Sequence, residues 1–304
     1  MTGFLERLRA GETLVGDGAW GTMLMARGLR PGESPEALNL SDPTMLAEIA
    51  QLYLEVGADL ITTNTFGASA LNLRTHGLED QIDTVNRAAV EAVALAVGGR
   101  GYISGSVGPS SRLLTPYGDT EPEEVMDSFV RQVGPLFEAG VDVICIETMI
   151  DLREAALAIS AVRSVSREIP IIATMTFNPT PRGFFTAMGE TVERAAAGLE
   201  EAGADVVGSN CGNGIDRMVE IAREFKSHSS LPVIIQSNAG LPEQRNGELF
   251  FPETPDFMAS RVDELVDLGV AVIGGCCGTG PEHIREFRAA VDRRLADGQP
   301  TGCR

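Results

Sequence analysis

The strongest constraint on this chain is a junction that repeats. A glycine, a small apolar residue and, in three of four copies, an aspartate stand directly before an apolar run: Gly57-Ala58-Asp59, Gly140-Val141-Asp142, Gly203-Ala204-Asp205 and Gly269-Val270-Ala271. A glycine there can close a helix in the left-handed conformation, and a strand can follow at once. One helix-to-strand device used four times predicts a chain of repeated βα units.

Eight strand candidates carry the pattern along the chain: Leu14–Asp17, Asp59–Asn64, Tyr102–Val107, Val141–Glu147, Ile171–Phe177, Asp205–Asn210, Val233–Asn238 and Ala271–Gly275. They are continuously apolar rather than alternating, which suits parallel strands covered on both faces. Helical patterns separate them. Leu46, Ile49, Ala50 and Tyr53 recur at helical spacing behind Ser41-Asp42-Pro43, a helix start. Eight units in 304 residues predict an α/β chain of one domain, a (β/α)₈ TIM barrel over residues 1–292. Residues 293–304 read as a polar tail that frays. A doubly wound open sheet is the alternative. It calls for a phosphate loop after the first strand, and Gly16-Asp17-Gly18-Ala19-Trp20-Gly21 has the G-x-G-x-x-G spacing, so this motif does not separate the two folds; the count of eight units favours the barrel.

Charge narrows the function. The chain has 43 acidic against 24 basic residues, a formal net charge of −19. Such a surface repels phosphate backbones and anionic lipid, so neither a nucleic-acid partner nor a membrane partner is expected. No apolar run approaches the ~18 residues of a membrane span, and the N-terminus lacks a signal-peptide core. The expected location is cytoplasmic. In a reducing compartment the five cysteines are expected as thiols or metal ligands, not disulfides.

Catalytic groups of such barrels sit at the C-terminal ends of the strands. Those ends carry Asp17, Asn64, Gly108, Glu147, Phe177, Cys211, Asn238, Cys276 and Cys277. Cys276-Cys277 and Cys211 both lie in glycine-rich ends, of the eighth and sixth predicted strands, near enough around the ring for three sulfurs to converge. Three thiolates suit zinc, with a fourth position left open as in a catalytic site. Buried packing is the plainer reading of a cysteine. It is the one given to Cys145, inside an apolar run, while Cys303 in the tail receives no role. A redox pair is disfavoured, because adjacent cysteines make a strained ring and no C-x-x-C spacing exists.

Zinc held by three thiolates is a poor centre for amide hydrolysis and a good one for keeping a substrate thiol deprotonated. The implied chemistry is S-alkylation of a thiol. Asp17 and Glu147 could bind the ammonium of an amino-acid substrate, or each could cap a helix. Backbone N–H groups near Gly18 and Gly278 could receive its carboxylate.

Five motifs together resemble the homocysteine S-methyltransferase family: Gly16-Asp17-Gly18-Ala19-Trp20-Gly21-Thr22, Thr63-Asn64-Thr65-Phe66, Ile146-Glu147-Thr148, Gly208-Ser209-Asn210-Cys211-Gly212 and Gly274-Gly275-Cys276-Cys277-Gly278-Thr279. The resemblance runs in order from about residue 10 to 292. It implies a zinc barrel in which Cys211, Cys276 and Cys277 bind one Zn²⁺ and the homocysteine thiolate is the fourth ligand. Asp17 and Glu147 would hold the homocysteine amino group, with Gly18 and Asn64 on the same substrate side. Asn238 resembles a residue that approaches zinc when substrate is absent. The motifs are closer to the cobalamin-dependent methionine synthase branch than to betaine enzymes. The expected methyl donor is therefore a methyl-corrinoid on a separate protein or domain; betaine and S-methylmethionine are the alternatives. Arg182–Gly189 is a candidate donor-side loop, or a packed surface loop. A non-catalytic thiol- or zinc-binding module and a zinc hydrolase are the competing classes; the all-sulfur ligand set argues against the second.

Overall fold

The computed structural model describes residues 2–245 and 248–296. Its strands, in chain order, are β1 (Leu14–Val15), β2 (Leu60–Thr62), β3 (Tyr102–Val107), β4 (Val143–Met149), β5 (Ile171–Met175), β6 (Asn178–Thr180), β7 (Gly183–Phe185), β8 (Val206–Asn210), β9 (Val233–Ser237), β10 (Glu243–Arg245), β11 (Glu248–Phe250) and β12 (Val272–Gly275). Eight of them form one parallel sheet in the order β1-β12-β9-β8-β5-β4-β3-β2. A parallel bridge between Gly16 and Leu60 joins the two ends. There Asp17 N–H donates to Leu60 O at 3.0 Å and Asp59 N–H to Val15 O at 2.7 Å. The result is the (β/α)₈ barrel that the repeats imply, and the eight strand candidates are its eight staves.

The repeated junction has a two-part physical basis. Its glycines Gly57, Gly140, Gly203 and Gly269 have φ of 98°, 92°, 102° and 71°, the left-handed region open to glycine. Its aspartates reach back to the preceding barrel strand. Asp59 Oδ2 accepts from Val15 N at 2.9 Å, Asp142 Oδ2 from Ile103 N at 2.8 Å, and Asp205 Oδ2 from Ile171 N at 2.9 Å. Each carboxylate satisfies a backbone donor near the bottom of the barrel. Arginines flank two of them: Arg7 and Arg288 at Asp59, Arg163 at Asp205.

Two apolar layers hold the ring. Inside, Leu14, Leu60, Tyr102, Val143, Ile172, Val206, Ile234 and Val272 contribute one side chain from each stave. The short helix Phe4–Arg9 seals this lumen from below through Phe4 and Leu8. The Phe4 ring meets Tyr102 edge-on at 5.5 Å. Cys145 is buried in this same layer, where burial pushes its thiol well above the ordinary range. It is a packing residue, as read from its apolar context. Outside, the staves pack on helices such as Pro43–Glu55, which buries Leu46, Ile49, Ala50 and Tyr53 and starts with Asp42 accepting from Met45 N at 3.1 Å.

Three features were not anticipated. The first half of the candidate loop Arg182–Gly189 lies in the β6–β7 hairpin, which buries Phe184. A second hairpin, β10–β11, follows β9. The last helix, Pro281–Ala296, continues past Arg293, and Arg294 pairs with Asp267, so the first residues of the expected tail are helical. Residues 297–304, Cys303 included, lie outside the described residues. Among the described residues no helix is long and apolar enough to cross a membrane.

An added Cβ at Gly140 meets nothing within 4 Å, so conformation alone is tested there. Gly140→Ala should lower unfolding free energy by about 1–2 kcal/mol, the cost of a left-handed non-glycine residue. Urea denaturation measures it.

Candidate metal centre and substrate cleft

β8 and β12 are not adjacent; both pair with β9, which lies between them. Cys211 follows β8 and Cys276-Cys277 follow β12, so the three leave the barrel rim on either side of one strand. β9 fixes both loops. Cys211 N–H donates to Gln236 O at 3.1 Å and Cys276 N–H to Ser237 O at 2.7 Å, while Ala239 N–H donates to Cys277 O at 2.9 Å. The loop after β12 is tight. Thr279 Oγ1 donates to Cys276 O at 2.7 Å, and a Cβ at Gly275 would lie 2.1 Å from that hydroxyl. Only glycine fits.

The three sulfurs lie within 4.8 Å of one another, and Cys211 and Cys277 are 3.8 Å apart. A tetrahedral ion with bonds of ~2.3 Å to sulfur needs ligand sulfurs about 3.8 Å apart. The donor set therefore fits zinc. Without metal, hydrogen bonds from the Cys276 and Cys277 thiols, helped by Gly212 N–H and the Asn238 side chain, favour a thiolate on Cys211 and hold it well below the ordinary thiol range. The same sharing pushes Cys276 up. Asn238 also keeps a buried Oδ1 with no protein partner beside this cluster.

The sulfurs form one wall of a cleft of about 320 Å³ at the barrel mouth. Asp17, Gly18, Asn64 and Glu147 line it too, together with Trp20, Phe66, Leu249 and Phe251. Asp17 caps no helix: its carboxylate accepts from Trp20 Nε1 at 2.8 Å, Thr62 N at 2.7 Å and Thr62 Oγ1 at 2.8 Å. Burial still raises its pKa to about 6. Glu147 caps none either; Asp151 caps the next helix. Glu147 sits where the β4–β5 register shifts, between Ile146 and Met149, and Thr148 beside it has φ of 61°. Such a bulge re-aims a side chain. The Glu147 carboxylate accepts from Ser106 Oγ and, at 3.3 Å, from Asn210 Nδ2. Burial raises its pKa to about 7 against the Ser106 bond, and the nearby Asp17 charge adds to the rise.

Other expected positions differ in detail. Asn64 spends its Nδ2 on Pro35 O and Asn39 Oδ1, at 2.7 and 2.8 Å, and so ties its loop to a neighbouring segment. The Asn238 side chain hydrogen-bonds Cys211 and is not part of the cleft lining. The Gly278 N–H, expected to be open to a substrate carboxylate, donates to Thr22 Oγ1 at 3.1 Å. No residue of Arg182–Gly189 lines the cleft. Leu249 and Phe251, at and beyond the β10–β11 hairpin, stand at the mouth instead. Sequence reasoning also passed over Asn210, Ser106 and Trp20 as partners of the two carboxylates. The one signal for Asn210 was a large polar residue inside an apolar strand end.

A closed parallel barrel thus carries, at one mouth, a Cys₃ cluster that could hold a metal ion and two buried carboxylates in the same cleft. The family model for homocysteine S-methyltransferase matches residues 14–291, and the chain belongs to that family of methyltransferases. It is 35% identical over 311 aligned residues to methionine synthase of Mycobacterium leprae and 34% identical over 297 to that of Mycobacterium tuberculosis. Those alignments cover 96% and 92% of this chain but 25% of each relative, so the chain spans about a quarter of their length. The homocysteine methyltransferase MmuM of Escherichia coli, in its metallated form, shares the fold with a TM-score of 0.77 at 20% identity, covering 91% of this chain and 96% of MmuM.

Glu147 links pH to stability. Its folded pKa lies near 7 against 4.5 for the free group, so stability gained by binding its proton is present in acid and lost as pH rises through about 7. Glu147→Gln removes that loss. Its stability relative to wild type should therefore rise by about 1–3 kcal/mol between pH 4 and pH 8 in metal-free protein. Urea midpoints at the two pH values measure it; a constant difference would mean that the carboxyl titrates normally.

Proposed function

We propose that this chain transfers a methyl group to the thiolate of homocysteine, giving methionine. Zinc would be held by Cys211, Cys276 and Cys277, and a corrinoid carried by a separate protein or domain would donate the methyl. The observation that carries this reading is the tetrahedral spacing of Cys211 and Cys277, with Cys276 in the same cluster and the cleft opening beside them. When bound, zinc supplies a positive charge that favours the thiolate form of the substrate sulfur at neutral pH.

The chain's own residues do the rest. Ionised Asp17 and Glu147 attract the substrate ammonium from one wall while the sulfur faces the other. Two attachment points orient the molecule, and orientation is a large part of the barrier for a bimolecular transfer. The sulfur lone pair forms the new S–CH₃ bond, and the donor–CH₃ bond breaks with its electron pair left on the donor. The thiol proton leaves to solvent when the substrate binds. The cleft is sized for an amino acid, so a corrin ring must present its methyl group from outside the mouth. Exposed Met25, Phe66 and Leu249 give that mouth an apolar rim.

Cys276→Ala should take bound zinc from about one ion per chain, the stoichiometry of a Cys₃ site, to near zero. Methionine formation should fall with it while circular dichroism is unchanged. Metal analysis and a donor screen with methylcobalamin, betaine and S-methylmethionine check this. Undiminished turnover by zinc-free protein rejects the zinc role, and turnover with betaine alone rejects the corrinoid donor.

A further inference from the structure

One buried side chain joins the two halves of the cleft. Asn210 is the last residue of β8, directly before Cys211, and is fully buried. Its Oδ1 accepts from Thr148 N and Thr174 Oγ1, both at 2.7 Å. Those two donors leave one orientation for the amide. Its Nδ2 donates to Thr148 Oγ1 at 2.7 Å and Glu147 Oε2 at 3.3 Å, and lies 3.9 Å from Cys276 Sγ. A single planar group thus touches a sulfur of the metal cluster and a carboxylate of the opposite wall.

We infer that Asn210 is a positioning residue that sets the spacing between the Cys₃ centre and Glu147, and through it selects a thiol amino acid with two methylenes over one with a single methylene. This rests on the proposed function. A ligand anchored at both sulfur and ammonium must match a fixed distance between anchors. Glu147 lies in a bulge, where the sheet constrains it least. Ser106 and Asn210 hold its two oxygens, and only Asn210 also touches the sulfurs. Loosening Asn210 lets the carboxylate follow a shorter ligand. Donation to Cys276 further drains charge from one sulfur of an electron-rich cluster.

Two variants test this. Asn210→Asp keeps the shape and the acceptor but turns the donor edge into an oxygen facing Glu147 and Cys276. Thr174→Val is nearly isosteric, lies outside the cleft and removes one of the two donors that orient Asn210. Each is loaded with Co²⁺ and titrated with homocysteine and with cysteine, following calorimetry and the thiolate-to-cobalt absorption band. Wild type should prefer homocysteine by about 10–200-fold, the usual worth of one methylene. Asn210→Asp should keep about one metal ion per chain, as its three cysteines are intact, and lose about tenfold of that preference, mainly through weaker homocysteine binding. Thr174→Val should shift the ratio the same way by a smaller factor. A wild-type ratio in Thr174→Val, or in metal-loaded Asn210→Asp, overturns the inference. Loss of metal by Asn210→Asp leaves the decision to Thr174→Val. Wild-type protein that binds no metal or no homocysteine refutes the proposed function itself, a separate outcome.

Discussion

The backbone of β9 accepts hydrogen bonds from both cysteine loops, Cys211 onto Gln236 and Cys276 onto Ser237. That shared strand is the constraint on which the Cys₃ cluster depends. Parallel register is rigid: β8 pairs Gly208 with Ile234 and Asn210 with Gln236, and β12 pairs Gly275 with Ser237. With both neighbours locked to one stave, the sulfur separation is a property of the sheet and not of loop flexibility. Slippage of either pair by one residue would turn the cysteine side chains to the opposite face. The pairs further down the same ladders, Val207 with Val233 and Val272 with Ile234, hold that register.

Much of this was legible in the sequence because it was local or periodic. Gly57, Gly140, Gly203 and Gly269 marked the junctions, and each has the left-handed φ that makes glycine necessary. Glycine-flanked Cys276-Cys277 and Cys211 stood out by composition. Asn210 did not, since its role lies in partners from β4 and β5 that no spacing reveals. Glu147 was visible as an acid at a strand end, but its reach into the cleft comes from a register shift that only the paired strands define. Gly278 failed for the complementary reason: a loop glycine advertises an open N–H, and Thr22, distant in sequence, takes it. The β10–β11 hairpin was missed because its strands have three residues each, one polar and one with only the pair Leu249-Phe250 apolar, too short for the apolar runs that report buried staves.

The electrostatics of the cleft run against folding. Asp17 and Glu147 are pressed into a poorly solvated floor, and their pKa values rise to about 6 and 7. Ionising them near neutrality opposes the folded state until a cation arrives. Asp17 keeps three donors around it and Glu147 two, which limits the cost without cancelling it. An ammonium entering between them would relieve this repulsion. A neutral amide in either place would make a more stable protein and a cleft with less attraction for a cation.

The two ends of the barrel divide the work accordingly. Among the described residues, the non-glycine residues with positive φ are Ser111, Thr148 and Cys211, and all three lie beyond or at the C-terminal ends of staves. Such backbone strain persists only where the surroundings over-determine it. The opposite end is built for stability, with one inward apolar side chain per stave, a sealing helix and carboxylates that complete the strand starts. A barrel arranged this way can hold a Cys₃ cluster, two reluctant carboxylates and a twisted strand at its mouth, because the stability that offsets them comes from residues that never touch the ligand.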